Sequence, residues 1–291
     1  MASQTALPLA GITVVSIEQA VAAPFATRQL ADLGARVIKV ERPDAGDFAR
    51  RYDETVHGES SYFVWLNRSK ESLTLDLKSD EGRGILEKLL STADVFVQNL
   101  APGAAARMNL DAQSLQQRYP TLIPCDVSGY GNTGPWSGRK AYDMLVQGES
   151  GLMSLTGPDE CPSKAGVSIA DIAAGMYAYS GILSALYMRA TTGTARAVEV
   201  ALFEALGEWM GSPAYYTEYG AGSRAASERN TRRSPRTVRS PPQTARSCCR
   251  SRTTANGPRS ARRCSATRRS PPTRASAATP RGWSTAMSAT R

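Results

Sequence analysis

The 291 residues carry a formal net charge of +9, but that charge is not spread along the chain. Residues 224–291 hold 17 Arg, no Lys, Leu, Ile, Phe or Tyr, and Glu228 as the single acid, a net +16; the other 223 residues, with 18 basic and 25 acidic side chains, are −7 and have an ordinary globular composition. No run of 18 apolar residues predicts a membrane span, no basic stretch followed by an apolar core predicts a secretory signal, and a single His with only Cys125 and Cys161 before residue 224 excludes a His-based metal cluster and fits a reducing cytoplasm.

The elements alternate from the start. Gly11–Ile17 reads as a buried strand, and Pro24 then opens a helix that Gly34 ends. Ala35–Val40 returns as a second strand, completing a βαβ unit with a right-handed crossover. Ser72–Leu77 is a short strand, Asp80–Leu90 a helix and Asp94–Gln98 another apolar strand. Two short helices, over 102–108 and 111–118, lead to a strand over Leu122–Ser128. Ser128–Pro135 is a glycine-rich loop whose spacing is not that of a nucleotide fingerprint, so it reads equally as a plain turn. Tyr142–Leu155 is one helix, and Ile169–Arg189 is a long helix rich in small residues. Val198–Ala201 is a last strand, and Phe203–Met210 begins a last helix. The alternation predicts an α/β fold, a Rossmann-like parallel sheet flanked by helices.

With one His, the chemistry is left to carboxylates, amides and cations. Asp171 stands where a loop enters the long helix, so the positive end of the helix dipole should favour its ionised form. It fits either a nucleophilic carboxylate or a helix-capping Asp. Arg42, Lys78, Arg107, Arg139 and Lys140 lie near strand ends, where they suit phosphates or are simple surface charge. Asn99 is a loop cap or a ligand contact.

Six segments occur in a recognisable order. They are Ala31-Asp-Leu-Gly-Ala-Arg-Val-Ile-Lys-Val-Glu-Arg42, Asn67-Arg-Ser-Lys-Glu-Ser-Leu-Thr-Leu-Asp-Leu-Lys78, Ala93-Asp-Val-Phe-Val-Gln-Asn99, Ser128-Gly-Tyr-Gly131, Ala141-Tyr-Asp143 and Ala170-Asp-Ile-Ala-Ala-Gly175. From about Leu9 to Met210 the chain resembles the family III CoA-transferases, the formyl-CoA transferase and carnitine CoA-transferase group. The resemblance implies an Asp that attacks an acyl-CoA and becomes an aspartyl-CoA thioester, and the matching residue is Asp171. It implies CoA contacts at Val21 and Ala22, through their backbone groups, and at Arg42, Lys78, Asn99, Arg107 and Lys140. Tyr142 takes the substrate-side position where the α-methylacyl-CoA racemases of this family carry a His, which favours transferase over racemase. Glu18-Gln19 and Trp65-Leu-Asn-Arg-Ser69 resemble branches acting on small dicarboxylates such as itaconate, mesaconate or citramalate. The implied partners are an acyl-CoA and a small carboxylic acid, with coenzyme A as a substrate, no tightly bound cofactor and no metal. The family also implies an interlocked homodimer, built with a second domain and a returning C-terminal segment.

Residues 1–222 are then the large-domain portion, incomplete as it stands, and residues 223–291 an Arg/Ser/Pro-rich tail. Three readings of the tail compete: a basic arm for nucleic acid, a disordered extension, and an out-of-frame translation of a GC-rich gene. Permitted codons for residues 230–263, read one base earlier, give protein-like sequence that itself resembles the family's continuation. The third reading is the expectation, with a frameshift near Tyr219–Arg224, a disordered tail, no specific nucleic-acid binding, and an enzyme inactive in this form.

Overall fold

A computed structural model of the chain describes residues 7–158 and 161–220, so the expectations for the tail lie outside the described residues. Six parallel strands form one sheet in the order β3-β2-β1-β4-β5-β6. They are β1 (Thr13–Ile17), β2 (Arg36–Glu41), β3 (Lys70–Thr74), β4 (Val95–Gln98), β5 (Ile123–Ser128) and β6 (Val198–Ala201). Because β1, β4 and β5 are covered on both faces, their sequences are nearly continuous apolar runs. Strand order reverses between β1 and β4, which pair from Val14↔Val95 to Ile17↔Gln98. Ligands of such sheets bind beyond the carboxyl ends of the strands at that reversal.

Nine helices flank the sheet among the described residues: α1 (Ala22–Asp32), α2 (Ser61–Asn67), α3 (Asp80–Leu90), α4 (Ala104–Arg107), α5 (Ala112–Arg118), α6 (Asp143–Glu149), α7 (Ile169–Thr192), α8 (Leu202–Trp209) and α9 (Gly211–Tyr219). One face, with Val14, Val37, Val97 and Cys125, packs against α1, α7 and α8. The other, with Val15, Val40 and Phe96, packs against α3, α4 and α5. The local signals are conventional: Ser79 Oγ accepts the Gly82 N–H at the start of α3, and Asp111 accepts the Ser114 N–H at the start of α5. Gly193, with φ 73°, ends α7.

Three expectations need correction. Residues 142–155 are not one helix: α6 stops at Glu149, Gly151 turns left-handed with φ 81°, and a separate 3-10 turn spans Leu152–Leu155. Strand β3 covers Lys70–Thr74 rather than 72–77, because its register against β2 begins at Val37↔Lys70. Helix α2 was missed. It is seven residues long, and of these only Leu66 is fully buried, so it has no helical stripe to read.

Helix α7 is long and apolar enough to cross a membrane by length and composition. Here those residues build the core: Ala170, Ala173, Ala174, Ala178 and Ile182 pack with Ala22, Ala23 and Ala26 of α1. The two helices approach so closely that a Cβ on Gly175 would lie 2.7 Å from the Ala22 carbonyl oxygen and 3.0 Å from Phe25 Cβ.

That contact gives a direct test. In Gly175→Ala the helix-propensity gain of up to about 1 kcal/mol is outweighed by overpacking against backbone. The expected net loss is about 1–2 kcal/mol, read as a lower urea midpoint at unchanged slope.

Candidate active site

A cleft of roughly 1320 Å³ opens over the carboxyl ends of β1, β4 and β5, and Val21, Ala22, Asn99, Lys140, Tyr142 and Asp171 all line it. Arg42 and Lys78 line a smaller pocket of roughly 290 Å³ at the ends of β1 to β3, with Asp76 and Met108. Gln19 and Leu100 border both cavities, so the two share a wall. Arg107 lines neither. It is exposed at the end of α4, between Ala106, which faces the large cleft, and Met108, which faces the small pocket.

The turn after β1 is fixed from several sides. The Asn99 amide accepts the Gln19 N–H and donates to the Gln19 carbonyl, both at 2.8 Å. Asn99 is therefore a structural clamp as well as a cleft residue. Ala20 adopts φ 62°, a left-handed conformation unusual for a residue with a Cβ, and its N–H is held by Asp47 Oδ1 at 3.1 Å. Asp47 also accepts Lys39 Nζ at 2.6 Å, and Lys70 Nζ reaches Glu18 at 2.7 Å and the Pro24 carbonyl at 3.0 Å. All four charged groups are buried. Burial pushes the Lys70 ammonium down to about 8 against the pull of Glu18. Sequence reading did not find this network, since Lys39 and Lys70 look like ordinary strand lysines.

Asp171 sits in the first turn of α7, four residues before Gly175 and so on the same helix face, which turns toward the start of α1. It does not cap its helix. Ser168 at the N-cap makes no side-chain hydrogen bond to the helix. The cap comes from Asp143, whose Oδ1 accepts the Ala170 N–H at 2.8 Å and the Asp171 N–H at 3.4 Å. The other oxygen of Asp143 accepts Gln147 Nε2 at 2.6 Å, and buried Gln147 in turn accepts the Ala165 N–H at 2.8 Å. Neither Asp171 carboxyl oxygen has a hydrogen-bond partner among the described residues. Desolvation, then the nearby Asp143 charge, pushes Asp171 up to about 7. The expected bias toward ionisation is thus overturned: the helix end does not outweigh burial and a like charge, and Asp143 already occupies its N–H groups.

Other residues of the cleft were not anticipated. Phe48, Tyr52 and Tyr62 form an aromatic wall, with ring centroids 5.8 Å and 5.7 Å apart in turn. Burial first, then the charges of Asp47 and Asp171, pushes the Tyr52 phenol up to about 12. Asp126, buried beside Gln98 in the sheet register and opposite Glu199 of β6, also lines the cleft, and its Oδ1 has no hydrogen-bond partner. Burial raises its carboxyl, with Glu199 adding to the effect.

The sequence profile of CoA-transferase family III matches residues 9–248, running past residue 222 into the Arg-rich segment. The chain is 42% identical over 188 residues to a succinyl-CoA:glutarate CoA-transferase from Mus musculus, covering 64% of this chain and 43% of that protein. It is 40% identical over 199 residues to an acetyl-CoA:oxalate CoA-transferase from Acetobacter aceti, covering 68% of this chain and 51% of that one. The crystal structure of a CAIB/BAIF family protein from Brucella suis superposes with a TM-score of 0.71 at 38% identity, over 75% of this chain and 59% of that chain. The chain thus spans about half the length of the curated relatives it matches.

The carboxyls predict how stability varies with pH. Asp171 holds its proton more tightly when folded, so its contribution is full below its ordinary value of 3.8 and is lost as pH rises toward about 7. Glu41 acts in the opposite direction. Burial disfavours its charge, but Arg50, Ser72 and the Asp47 N–H hold it at about 2, so its contribution is lost as pH falls from 4.5 toward that value. The melting temperature should therefore decline on both sides of a mildly acidic optimum, and Asp171→Asn should flatten the alkaline side alone.

Proposed function

The chain belongs to CoA-transferase family III, and from that premise we propose that its cleft carries CoA from an acyl-CoA to a small dicarboxylic acid through a covalent intermediate on Asp171. The observation that carries this reading is the Asp171 carboxyl itself: inside a cleft, relieved of capping by Asp143, and without a hydrogen-bond partner among the described residues. A carboxylate so placed is available as a nucleophile, and its raised basicity strengthens it.

The chemistry runs in balanced steps. An Asp171 oxygen attacks the acyl carbonyl of the donor, the C–O bond forms, the C–S bond breaks, and CoA leaves as a thiolate. The thiolate then attacks the Asp171 carbonyl of this mixed anhydride, releasing the first acid as a carboxylate and leaving an aspartyl-CoA thioester. The acceptor carboxylate attacks that thioester to form a second anhydride and thiolate. Attack of the thiolate on the acceptor's carbonyl yields the new acyl-CoA and restores Asp171. Val21 and Ala22 offer backbone groups beside the reacting carboxyl. Arg42 and Lys78 suit CoA phosphates at the small pocket, with the shared wall at Gln19 and Leu100 leading toward Asp171. Glutarate and oxalate in the names of two relatives support a dicarboxylic acceptor. Lys140 and Lys164, both lining the cleft, are candidates to receive its second carboxylate.

Two measurements test this. Completed transfer is not expected of the chain in this form, but the first half-reaction is: incubated with succinyl-CoA, it should yield a peptide with a covalent adduct on Asp171, converted by hydroxylamine to a hydroxamate and absent in Asp171→Ala; an unmodified Asp171 would sink the reading. CoA affinity by calorimetry should weaken about tenfold in Arg42→Ala or Lys78→Ala, the cost of one charge-assisted hydrogen bond, with little change in melting temperature.

A further inference from the structure

The first turn of α7 presents a problem that its own residues do not solve. A helix start leaves unpaired N–H groups, and the third residue of the helix is where an acidic side chain commonly reaches back to satisfy the N-cap. Asp171 is that third residue, yet it makes no such bond, and neither does Ser168. The acceptor is imported from α6, 28 residues earlier in the chain, as Asp143 Oδ1. Its orientation is itself fixed. Gln147, one turn along α6, donates its side-chain Nε2 to Asp143 Oδ2, while its side-chain Oε1 accepts the Ala165 N–H in the segment that leads into α7. Fully buried, Gln147 has no freedom to turn its amide over without losing both bonds.

We propose that Asp143 is the positioning residue for Asp171: it takes over the capping of α7 so that the Asp171 carboxyl is left unpartnered in the cleft, and its adjacent negative charge favours the acylated, uncharged form of that side chain. This rests on the reading of Asp171 as the nucleophile. Asp143 accepts hydrogen bonds from two backbone N–H groups and one amide, whereas Asp171 accepts none. Asp143 is therefore the hydrogen-bonded member of the pair, while burial and then the Asp143 charge raise the unpartnered Asp171 carboxyl. The cleft around Asp171 also carries Asp53, Asp111, Asp126, Glu199 and Arg139, together with phenols and lysines. Tyr142 comes from the start of α6, Tyr52 from the turn after the Phe48–Arg51 3-10 helix and Tyr62 from α2, while Lys140 and Lys164 line the same cleft. Among the carboxyls of this cleft, Asp143 is the one whose charge raises Asp171, after burial.

The consequence falls on the covalent step. When an Asp171 oxygen bonds to the acyl carbon and the C–S bond breaks, the negative charge departs on the CoA thiolate. The nucleophile is the ionised form of Asp171, so a protonated Asp171 first gives up its proton to solvent. From that ionised form, the repulsion between the two carboxylates is relieved as the adduct forms and returns when it is resolved. Asp143 thus favours acylation of the ionised Asp171 without touching the substrate.

The test reads the carboxyl directly and does not depend on turnover. In the full chain carrying ¹³C-labelled Asp, the Asp171 carboxyl should titrate near neutrality. Asp143→Asn keeps an acceptor for the α7 cap but removes the charge. It should move the Asp171 midpoint down by about one pH unit or more, and slow carbodiimide labelling of Asp171 at pH 6.5, which needs the protonated acid. Asp143→Ala should show the same downward shift together with a lower melting temperature, since the cap is also lost. An unchanged midpoint in Asp143→Asn overturns the proposal. So does a wild-type Asp171 that titrates in the ordinary carboxylate range, which holds even where the variants do not fold. If the raised Asp171 midpoint and its downward shift in Asp143→Asn are found but no acyl adduct ever forms on Asp171, the pairing stands and it is the nucleophile reading that fails.

Discussion

The Ala22 carbonyl occupies the space that a side chain on residue 175 would need, and the placement of Asp171 depends on that contact. Alanines on both helices let α1 and α7 approach until backbone meets backbone. Asp171 is one turn ahead of Gly175 on the same face, and it lines the same cleft as Val21 and Ala22 at the start of α1. Val21 and Ala22 are there as main-chain groups, since neither side chain offers polar chemistry and no side chain caps the helix. Glycine at 175 is therefore a statement about distance, not flexibility.

The other half of the site is held by buried charge. Burying Lys39, Lys70, Glu18 and Asp47 carries a desolvation cost that pairing offsets only when each group is also hydrogen-bonded. Here each is: Asn67 accepts from both lysines, Thr27 donates to Glu18, and the Ala20 and Ala49 N–H groups donate to Asp47. Such a lattice is poor at adding stability and good at specifying one geometry. What it specifies is the turn from Glu18 to Val21, including the left-handed Ala20, a conformation that costs about 1–3 kcal/mol and persists only where surroundings over-determine it. Asn99 adds the last constraint by mimicking a strand partner for Gln19 across the reversal of strand order.

The sequence made the scaffold legible and left most of the site's wiring hidden, for a physical reason. Apolar runs, Ser79, Asp111 and Gly193 act locally, so strands and caps can be read from a short window. Asp171 could be singled out because a carboxyl entering an apolar helix is locally odd. Whether it caps its own helix could not be read from spacing, since the cap is supplied by Asp143 and that contact is made in space. The Ala141-Tyr-Asp143 segment was visible as a motif, but nothing in it tells that the Asp caps another helix. Lys39 and Lys70 were illegible for the same reason: a lysine in a strand reads as surface until its carboxylate partners are placed. Gly151 shows the opposite error, where an apolar pattern continued through a residue whose backbone had already turned.

The two cavities differ in the pairing of their charges, not in their sign. Arg42 and Lys78 line the small pocket together with Glu18, Glu41, Asp47 and Asp76. Of these acids, Glu18, Glu41 and Asp47 are each held by a cation of the protein itself: Lys70, Arg50 and Lys39. The large cleft also carries both signs, with Arg139, Lys140 and Lys164 beside Asp126, Asp143 and Asp171. There, however, Asp126 Oδ1 and both Asp171 oxygens have no hydrogen-bond partner among the described residues. A buried carboxyl oxygen without a partner is costly and is retained only where the surroundings enforce it. The enforcement here is the same geometry that sets the turn after β1 and the start of α7, so the unpartnered groups of the large cleft and the fully paired groups behind the small pocket are two results of one arrangement.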